Sequence, residues 1–378
     1  MKYIWEQKSW PHFKWQSDKL LNYLSRARFA QGNLLSKINS MGLTLNRESH
    51  AEILIEETVK TAAIEGINLD KESVRSSVAG KLGLPTAGLK QPDKNADGLI
   101  DVILNATTHY KKPLTAKRLK SWQAALFPTG YSGLKKIHLG KWRGNTAMRV
   151  VSGPIGREKI HFEAPPGIKV VSEIKTFINW WGKESKDTDG LLKAGIAHFY
   201  FVTIHPFEDG NGRIARALAD MALAQDENLP QRYYSLSGRI MAERKAYYDI
   251  LEQSQKSSLD ITPWLLWFLK CYLRAIADSE VTIGKVLQKS VFWQIHAQTG
   301  LNKNQQKAIN RLLDAGQNGF EGGLSTRKYV SMTRTSRATA YRDISDLVRK
   351  KILTRRNAGG RSVSYNLIFP SVVNPINK

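Results

Sequence analysis

The stretch His-Pro-Phe-Glu-Asp-Gly-Asn-Gly-Arg-Ile-Ala-Arg at residues 205–216 combines a base, acids, an amide and two cations within twelve residues. Gly210 and Gly212 flank Asn211 just before a predicted helix, so backbone N–H groups can converge there and form an anion site. Arg213 and Arg216 lie three residues apart on the first turn of that helix, and both guanidiniums can face the same way. This arrangement suits a triphosphate, because the planar fork of arginine matches phosphate oxygens.

The remaining side chains of the stretch supply a metal ligand, a base and an anchor. Asp209 can hold Mg²⁺ while phosphates supply other ligands. His205 can take up a proton near neutral pH. Pro206 restricts the backbone, and Phe207 is predicted to bury itself as an anchor of the loop. The spacing fits neither a P-loop nor a dinucleotide-binding fingerprint.

Outward from this stretch, hydrophobic periodicity predicts a mainly α-helical protein. An apolar helix over 191–204 leads into His205, and further helices are predicted over 17–28, 213–224 and 237–255. Residues 84–96 contain two prolines and a glycine and are predicted to form a loop. Two β-like runs separated by a turn-rich connector predict a hairpin over 149–162. We expect three domains, at 1–92, 93–280 and 281–378.

Composition sets further bounds on function. The formal net charge of +24 favours polyanionic partners or an ordinary basic surface. The single cysteine, Cys271, lies in an apolar run, which predicts a buried structural thiol and excludes an intramolecular disulfide. No run of about 18 apolar residues and no signal-peptide pattern is found, so we expect a cytoplasmic protein without a membrane partner.

Residues 205–216 match the motif of the Fic family, His-Pro-Phe-x-[Asp/Glu]-Gly-Asn-Gly-Arg-x-x-Arg, at every defined position. The flanking segments 197–204 and 239–251 also resemble that family, and the Trp-rich N-terminal segment resembles a domain often fused ahead of the Fic core in bacteria. The resemblance implies a Fic-type helical core in which the hairpin is a flap that aligns a target protein by main-chain pairing.

The resemblance also implies a protein adenylyltransferase that uses ATP and Mg²⁺. His205 would be the general base on a Tyr, Thr or Ser hydroxyl of a protein target, which could be the chain itself. Asp209 would hold Mg²⁺ between the α- and β-phosphates, and Gly210, Asn211 and Gly212 would cradle the phosphates. Arg213 would bind on the β-phosphate side and Arg216 the γ-phosphate.

A second motif of the same family, [Ser/Thr]-x-x-x-Glu-[Gly/Asn], matches Thr61–Gly66 at the end of a helix predicted over 48–66. A Glu65 carboxylate that reached Arg216 would occupy the guanidinium that the γ-phosphate needs. We therefore expect Glu65 to be an intramolecular inhibitor. A role for Glu65 in removing AMP, by orienting a water molecule, stays open.

The last hundred residues predict a winged helix-turn-helix, with helices over 304–313, 326–332 and 336–350 followed by a strand–turn–strand over 354–367. Basic residues dominate this segment and are opposed only by Asp343 and Asp346 between 326 and 361. Arg334, Arg337 and Arg342 are placed near the start of the predicted recognition helix. The module can bind DNA or mediate contacts between proteins, homodimerisation included.

Two alternatives of function stay open at this stage. The chain could be a nucleotide-sensing, DNA-binding regulator, although a pure sensor would not need His205. The same fold could also transfer another group, such as UMP or phosphocholine. Tyr247 and Tyr248 are candidates for stacking on adenine or for simple core packing.

Overall fold

α-Helices account for most of the residues that the computed structural model describes, which are 3–86, 89–153, 157–316, 320–356 and 363–369. The mainly helical fold predicted from the sequence is confirmed. The chain divides into two compact units, with the boundary between Ser279 and Glu280.

The first unit contains ten helices and the beginning of an eleventh, together with two strand pairs, among its described residues. The helices are α1 Ser17–Asn39, α2 Leu43–Ile64, α3 Lys71–Leu82, α4 Lys94–Thr108, α5 Ala116–Ala125, α6 Val170–Asn179, α7 Gly190–Ile204, α8 Asn211–Glu227, α9 Leu236–Ala242, α10 Arg244–Gln255 and α11 Thr262–Ile295. Ile4–Glu6 and Gly167–Lys169 form 3₁₀ turns, and Trp180–Glu184 forms a π-helical turn.

Three predicted helix bounds were wrong. α1 continues to Asn39 instead of ending near residue 28, and α2 begins at Leu43 instead of residue 48. The helix predicted over 237–255 is two helices that meet at Glu243, whose φ of −112° and ψ of 27° leave the helical region. The Glu243 carboxylate accepts hydrogen bonds from Arg239 and Arg274, which holds the break without a glycine or proline.

The central feature of the unit is the packing of α7 against α8. Nearly every residue of α7 is buried, so this helix is apolar on all sides, as expected for a helix inside a core. α7 ends where His205 adopts a left-handed conformation with φ 50°. The short loop that follows leads to α8, so the two core helices hold both ends of the 205–216 stretch.

The predicted hairpin is present as β3 Arg149–Ser152 and β4 Lys159–Glu163, which pair antiparallel. A bulge shifts the register between Val150 and Val151. The predicted connector includes residues 154–156, which lie outside the described residues. A smaller hairpin, β1 Tyr131–Ser132 with β2 Lys135–Lys136, precedes it in the chain.

The second unit consists of the rest of α11 and three further helices, α12 Lys303–Ala315, α13 Thr326–Thr333 and α14 Arg337–Arg349. They are followed by paired strands β5 Leu353–Arg355 and β6 Tyr365–Leu367. The unit has its own apolar core, which includes Ile309, Leu312, Tyr329, Ile344 and Leu347. The predicted turn between the two strands, which includes Arg361, lies at residues 357–362, outside the described ranges, and the winged-helix assignment stays a prediction.

Cys271 is buried, as predicted, and burial raises the pKa of its thiol. Within the ranges that the structure describes, no helix combines the length and the apolar character needed to cross a bilayer.

Candidate functional site

His205 sits at the end of α7 with its ring held in one orientation. Its backbone N–H donates to the Phe201 carbonyl at 3.0 Å, and its ring Nδ1 lies 3.1 Å from the Val202 carbonyl. Because a carbonyl oxygen can only accept, Nδ1 carries the proton and Nε2 keeps its lone pair. Burial lowers the pKa of the imidazole below its usual value, so the ring is neutral near pH 7. His205 can therefore accept a proton at Nε2.

Arg143, which the sequence did not single out, holds the turn at His205. Its Nε donates to the His205 carbonyl at 2.7 Å, its Nη2 donates to the Pro165 carbonyl, and its backbone N–H donates to the Pro206 carbonyl at 2.9 Å. Pro165 follows β4 by two residues. Arg143 thus ties the His205 turn to the base of the β3–β4 hairpin, a contact that no local pattern indicates.

Phe207 and Asn211 lock the loop internally. Phe207 is fully buried, as predicted for an anchor. The Asn211 side chain accepts from the Phe207 N–H at 3.0 Å and donates to the Phe207 carbonyl at 2.8 Å. Asn211 was expected, with Gly210 and Gly212, to cradle the phosphates, and its side chain also holds the loop backbone, which uses Oδ1 and one of the two Nδ2 hydrogens.

Two glycines make the start of α8 approachable. Gly210 has φ 90° and precedes the helix, and a Cβ there would lie 3.2 Å from the Phe127 ring. A Cβ on Gly212 would lie 2.3 Å from the Glu65 Oε1 atom. The first N–H groups of α8 have no acceptor within the helix, and the helix dipole favours negative charge beside them.

Asp209 is half exposed beside this helix end. Its carboxylate accepts from the Gly210 N–H at 2.5 Å and from the hydroxyl of Ser132, at the end of β1. Arg213 Nη2 lies 3.7 Å from the same carboxylate. One oriented, accessible carboxylate fits a hard divalent cation that arrives with a nucleotide and takes its other ligands from phosphates and water. Ser132 is a further residue that sequence reasoning missed.

The two arginines of the loop are withdrawn from solvent. Arg213 is 5% exposed and its guanidinium lies 4.6 Å from the Phe127 ring centroid. Arg216 is 3% exposed. Arg213 Nε and Arg216 Nη1 are buried and have no hydrogen-bond partner among the described residues. Buried cationic donors without partners are costly, and phosphate oxygens are the acceptors that would satisfy them.

The other two nitrogens of the Arg216 guanidinium, Nε and Nη2, donate to residues at the end of α2. Arg216 Nε donates to Thr61 Oγ1 at 2.5 Å, and Nη2 donates to the Thr61 carbonyl at 3.0 Å and to Glu65 Oε1 at 2.7 Å. Burial lowers the pKa of Arg216, but the Glu65 charge raises it, and the net change is upward. The two residues that the sequence motif singled out therefore both contact Arg216.

α10 binds the same end of α2 from the other side. The Ile64 carbonyl accepts from Arg244 Nε at 3.0 Å and from the Tyr248 hydroxyl at 3.3 Å. The next residues form a turn in which Gly66 has φ 79° and Ile67 N–H donates to the Ala62 carbonyl, as in a helix cap of the Schellman type. Glu65 is thereby held at a defined position.

A cavity of about 630 Å³ lies between the β3–β4 hairpin and α10. Its lining includes Met148–Ser152, Tyr248, His205, Gly212 and Glu65. Arg213 and Arg216 are not among the residues that line it, whereas Glu65, which pairs with Arg216, is. The volume lies within the usual range for small-molecule sites.

The predicted aromatic pair behaves differently at its two positions. Tyr247 is buried and its hydroxyl lies 2.9 Å from His198 Nε2, which places it in the core beside the cavity. Tyr248 is 36% exposed and lines the cavity. Tyr247 lines the cavity as well but is only 2% exposed, so Tyr248 presents the larger surface to a ligand.

The hairpin is joined to α10 by a polar chain. His161 on β4 lies 2.5 Å from Glu252 through Nδ1 and 2.5 Å from the Ser152 hydroxyl through Nε2. Glu252 and Ser152 both line the cavity. His161 and Glu252 are 91 residues apart in the sequence, and their contact positions the hairpin along the cavity.

Several known proteins and protein families are similar to this chain. A model described as Fic/DOC family matches residues 113–223, and a model described as a domain of unknown function, DUF4172, matches residues 3–84. A protein of Aquifex aeolicus named "probable protein adenylyltransferase" is 38% identical over 85 residues, which cover 22% of this chain and 26% of that protein. The protein adenylyltransferase fic-1 of Caenorhabditis elegans is 42% identical over 55 residues, which cover 14% of this chain and 11% of that protein.

The chain thus matches about a quarter or less of the length of these curated relatives. A solved structure of a Fic family protein from Desulfovibrio desulfuricans G20 superposes with a TM-score of 0.54 at 17% identity. The superposition covers 94% of this chain and 97% of that one, which shows a shared fold. Because the Fic/DOC model matches residues 113–223, which include the 205–216 loop, this segment of the chain is a Fic family domain.

Proposed function

We propose that this protein transfers AMP from ATP to a hydroxyl group of a protein, and that Glu65 holds the reaction back. The observation that carries the proposal is the placement of a neutral, oriented His205 beside a glycine-rich helix start with two buried arginines. A base and an anion site in contact with one cavity suit nucleophilic attack on a phosphate. The curated relatives named protein adenylyltransferase support the same reaction class.

In the proposed reaction, His205 Nε2 accepts the proton of the attacking hydroxyl. The hydroxyl oxygen forms a bond to the α-phosphorus of ATP, the bond from that phosphorus to the bridging oxygen breaks, and pyrophosphate leaves. The α8 N–H groups and Arg213 stabilise the negative charge on the phosphates. Asp209, whose carboxylate is oriented by Ser132 and the Gly210 N–H, would hold a Mg²⁺ ion that arrives with ATP, and such an ion would supply positive charge beside the phosphates.

The edge of β3 is the proposed docking position for the target segment. Residues of β3 line the cavity, and Val151 on this strand is half exposed. An extended segment could pair with this edge by main-chain hydrogen bonds and bring its hydroxyl toward His205. This mode needs no particular target sequence, and self-modification is one of its expected results.

The proposed brake rests on the Arg216 contacts. With Glu65 and Thr61 on its guanidinium, Arg216 has one nitrogen, Nη1, without a hydrogen-bond partner in the part of the chain that the structure describes, and Glu65 instead of Arg216 lines the cavity. A γ-phosphate that needs Arg216 would have to displace Glu65. ATP would otherwise bind with its α-phosphate away from His205.

Transfer of label from α-³²P-ATP to the protein itself and to a cell lysate tests the transferase. We expect little label with the wild type, strong label with Glu65→Gly, and none with Glu65→Gly combined with His205→Ala. His109, another histidine of the first unit, supplies a control variant, His109→Ala, in the same Glu65→Gly background. Absence of label in all variants would favour the nucleotide-sensing regulator.

A second candidate reaction, removal of AMP from a modified protein, is favoured by one observation. Glu65 is 30% exposed and lines the cavity, so its carboxylate could also orient a water molecule for attack on an AMP-protein bond. Incubating AMP-modified protein with the wild type and with Glu65→Gly separates the two roles. Release of AMP only by the wild type would support it.

A further inference from the structure

The second unit presents two helices in tight succession, α13 and α14, separated by three residues. Arg334 caps α13 in a left-handed conformation with φ 55°, and its N–H donates to the Val330 carbonyl at 2.8 Å. The Ser336 side chain then caps α14 by accepting from the Thr339 N–H at 3.1 Å. Two helices joined by a turn of this length form a helix-turn-helix.

α14 is divided into an inner and an outer face. Ala340, Asp343, Ile344 and Leu347 point into the core of the unit. The outer face, together with the preceding turn, exposes Arg334, Arg337, Tyr341 and Arg342, and we call these four residues the α14 face. Tyr341 is 65% exposed, an unusual position for an aromatic side chain without a partner.

The acidic residues of α14 are kept off this face. Asp343 is buried and accepts from the Tyr329 hydroxyl at 2.8 Å and from Asn302 Nδ2 at 2.9 Å. Asp346 accepts from Gln305 Nε2 at 2.9 Å and from Lys350 Nζ at 2.5 Å. Both carboxylates therefore have hydrogen-bond partners within the unit. Although they are neighbours of the arginines in sequence, they do not neutralise the arginines of the α14 face.

In contrast to these paired carboxylates, the arginines of the α14 face are exposed and unpaired among the described residues. They are Arg334, Arg337 and Arg342. Arg327 on α13 and Arg355 on β5 are exposed as well. Over residues 280–378 the sequence has 17 Lys and Arg against 5 Asp and Glu, which is half of the net charge of the whole chain. The face is thus a concentrated and uncompensated positive surface.

We infer that the α14 face binds double-stranded DNA, with α14 in the major groove. A helix with its side chains is about 10–12 Å wide, which matches a groove about 12 Å wide. Arginine pairs with phosphates and with guanine edges, and the tyrosine hydroxyl can donate to a phosphate. The major groove of double-stranded RNA is too narrow for such a helix. This inference is independent of the proposed transferase reaction, because it involves the second unit only.

Binding of the full-length protein to a fluorescent mixed-sequence duplex, measured by anisotropy over a range of salt concentrations, tests the inference. The key variant is Arg337→Gln with Arg342→Gln. Its control is Lys303→Gln with Lys307→Gln, which removes the same charge from exposed positions of α12. At about 100 mM salt we expect the α14 variant to bind at least about tenfold more weakly, with a salt slope smaller by about 2. The control should stay within about threefold of the wild type.

Two further measurements keep the result interpretable. A conservative variant, Arg337→Lys with Arg342→Lys, retains the charge and should keep most of the salt-dependent affinity while discriminating less between duplex sequences. Thermal melting shows that each variant is folded, and a variant that melts early is replaced by Tyr341→Ala. Equal weakening by the α12 and α14 variants, no binding at low salt, or equal competition by an acidic polypeptide would each overturn the inference.

Discussion

Removing the Glu65 carboxylate is the perturbation with the clearest expected result, because it acts on one defined contact. Glu65 Oε1 accepts from Arg216 Nη2 at 2.7 Å, and Arg216 is 3% exposed. The Glu65→Gly variant removes this acceptor but leaves the two Thr61 contacts that hold Arg216 in place. We expect the guanidinium to become available to the γ-phosphate and the rate of AMP transfer to rise.

The size of the rise follows from the strength of the contact. A hydrogen bond to a charged group contributes about 1.5–3 kcal/mol net. The Glu65 side chain is 30% exposed, so solvent screening reduces the value, and we take about 1.5–2 kcal/mol. Since about 1.4 kcal/mol corresponds to a factor of ten, the transfer rate should increase roughly 10- to 30-fold.

The assay compares initial rates of label transfer from α-³²P-ATP at fixed protein concentration. Glu65→Gln retains a neutral acceptor of the same length, so its rate should lie between those of the wild type and Glu65→Gly. Glu52→Gln is a matched control, because Glu52 lies on the same helix, pairs with Arg75 and has a side chain 28% exposed. It should leave the rate unchanged.

Two results would refute the reasoning. Equal rates for Glu65→Gly and Glu52→Gln would show that loss of the Arg216 ion pair does not control the reaction. A lower rate in Glu65→Gly, with ATP binding intact, would show that Glu65 assists catalysis. In the first case the contact with Arg216 would be structural only, and in the second Glu65 would not be an inhibitor.

Three further predictions concern the residues around His205. The lysine of an Arg143→Lys variant cannot donate to both the His205 and Pro165 carbonyls, as the guanidinium does. In a Glu65→Gly background its kcat should therefore fall about tenfold or more with little change in KM. An equal change in kcat and KM would contradict a positioning role. Ser132→Ala removes the donor to Asp209 and should raise the Mg²⁺ concentration for half-maximal rate about threefold, which a magnesium titration measures. Because the proposed reaction needs the neutral imidazole and burial lowers the pKa of His205, kcat/KM should decline only below the ordinary histidine value of about 6.5. A decline that begins above that pH would show that the ring is not withdrawn from water.

The local features of this protein were predictable from the sequence, because they depend on residues within one or two turns of each other. The apolar run before His205 predicted α7, which is buried on all sides. Gly66 predicted the end of α2, and Phe207 predicted a buried anchor. The hairpin over 149–162 followed from two β-like runs, and the structure places its strands within two residues of that range. Helix lengths were less predictable, because α1 and α2 extend through segments whose stability comes from packing.

Tertiary structure decided which of these residues meet. Arg216 contacts Thr61 across 155 residues of sequence, and Arg143 contacts His205 across 62. The Asn211 amide pairs with both backbone groups of Phe207, because these groups need partners once Phe207 is buried. Such pairings depend on how α2, α8 and the loops pack together, and a local pattern carries no information on distances between distant segments. The chemical groups of the site can therefore be identified from the sequence. Their arrangement, with Arg216 held by the end of α2, is decided by the packing of the folded chain.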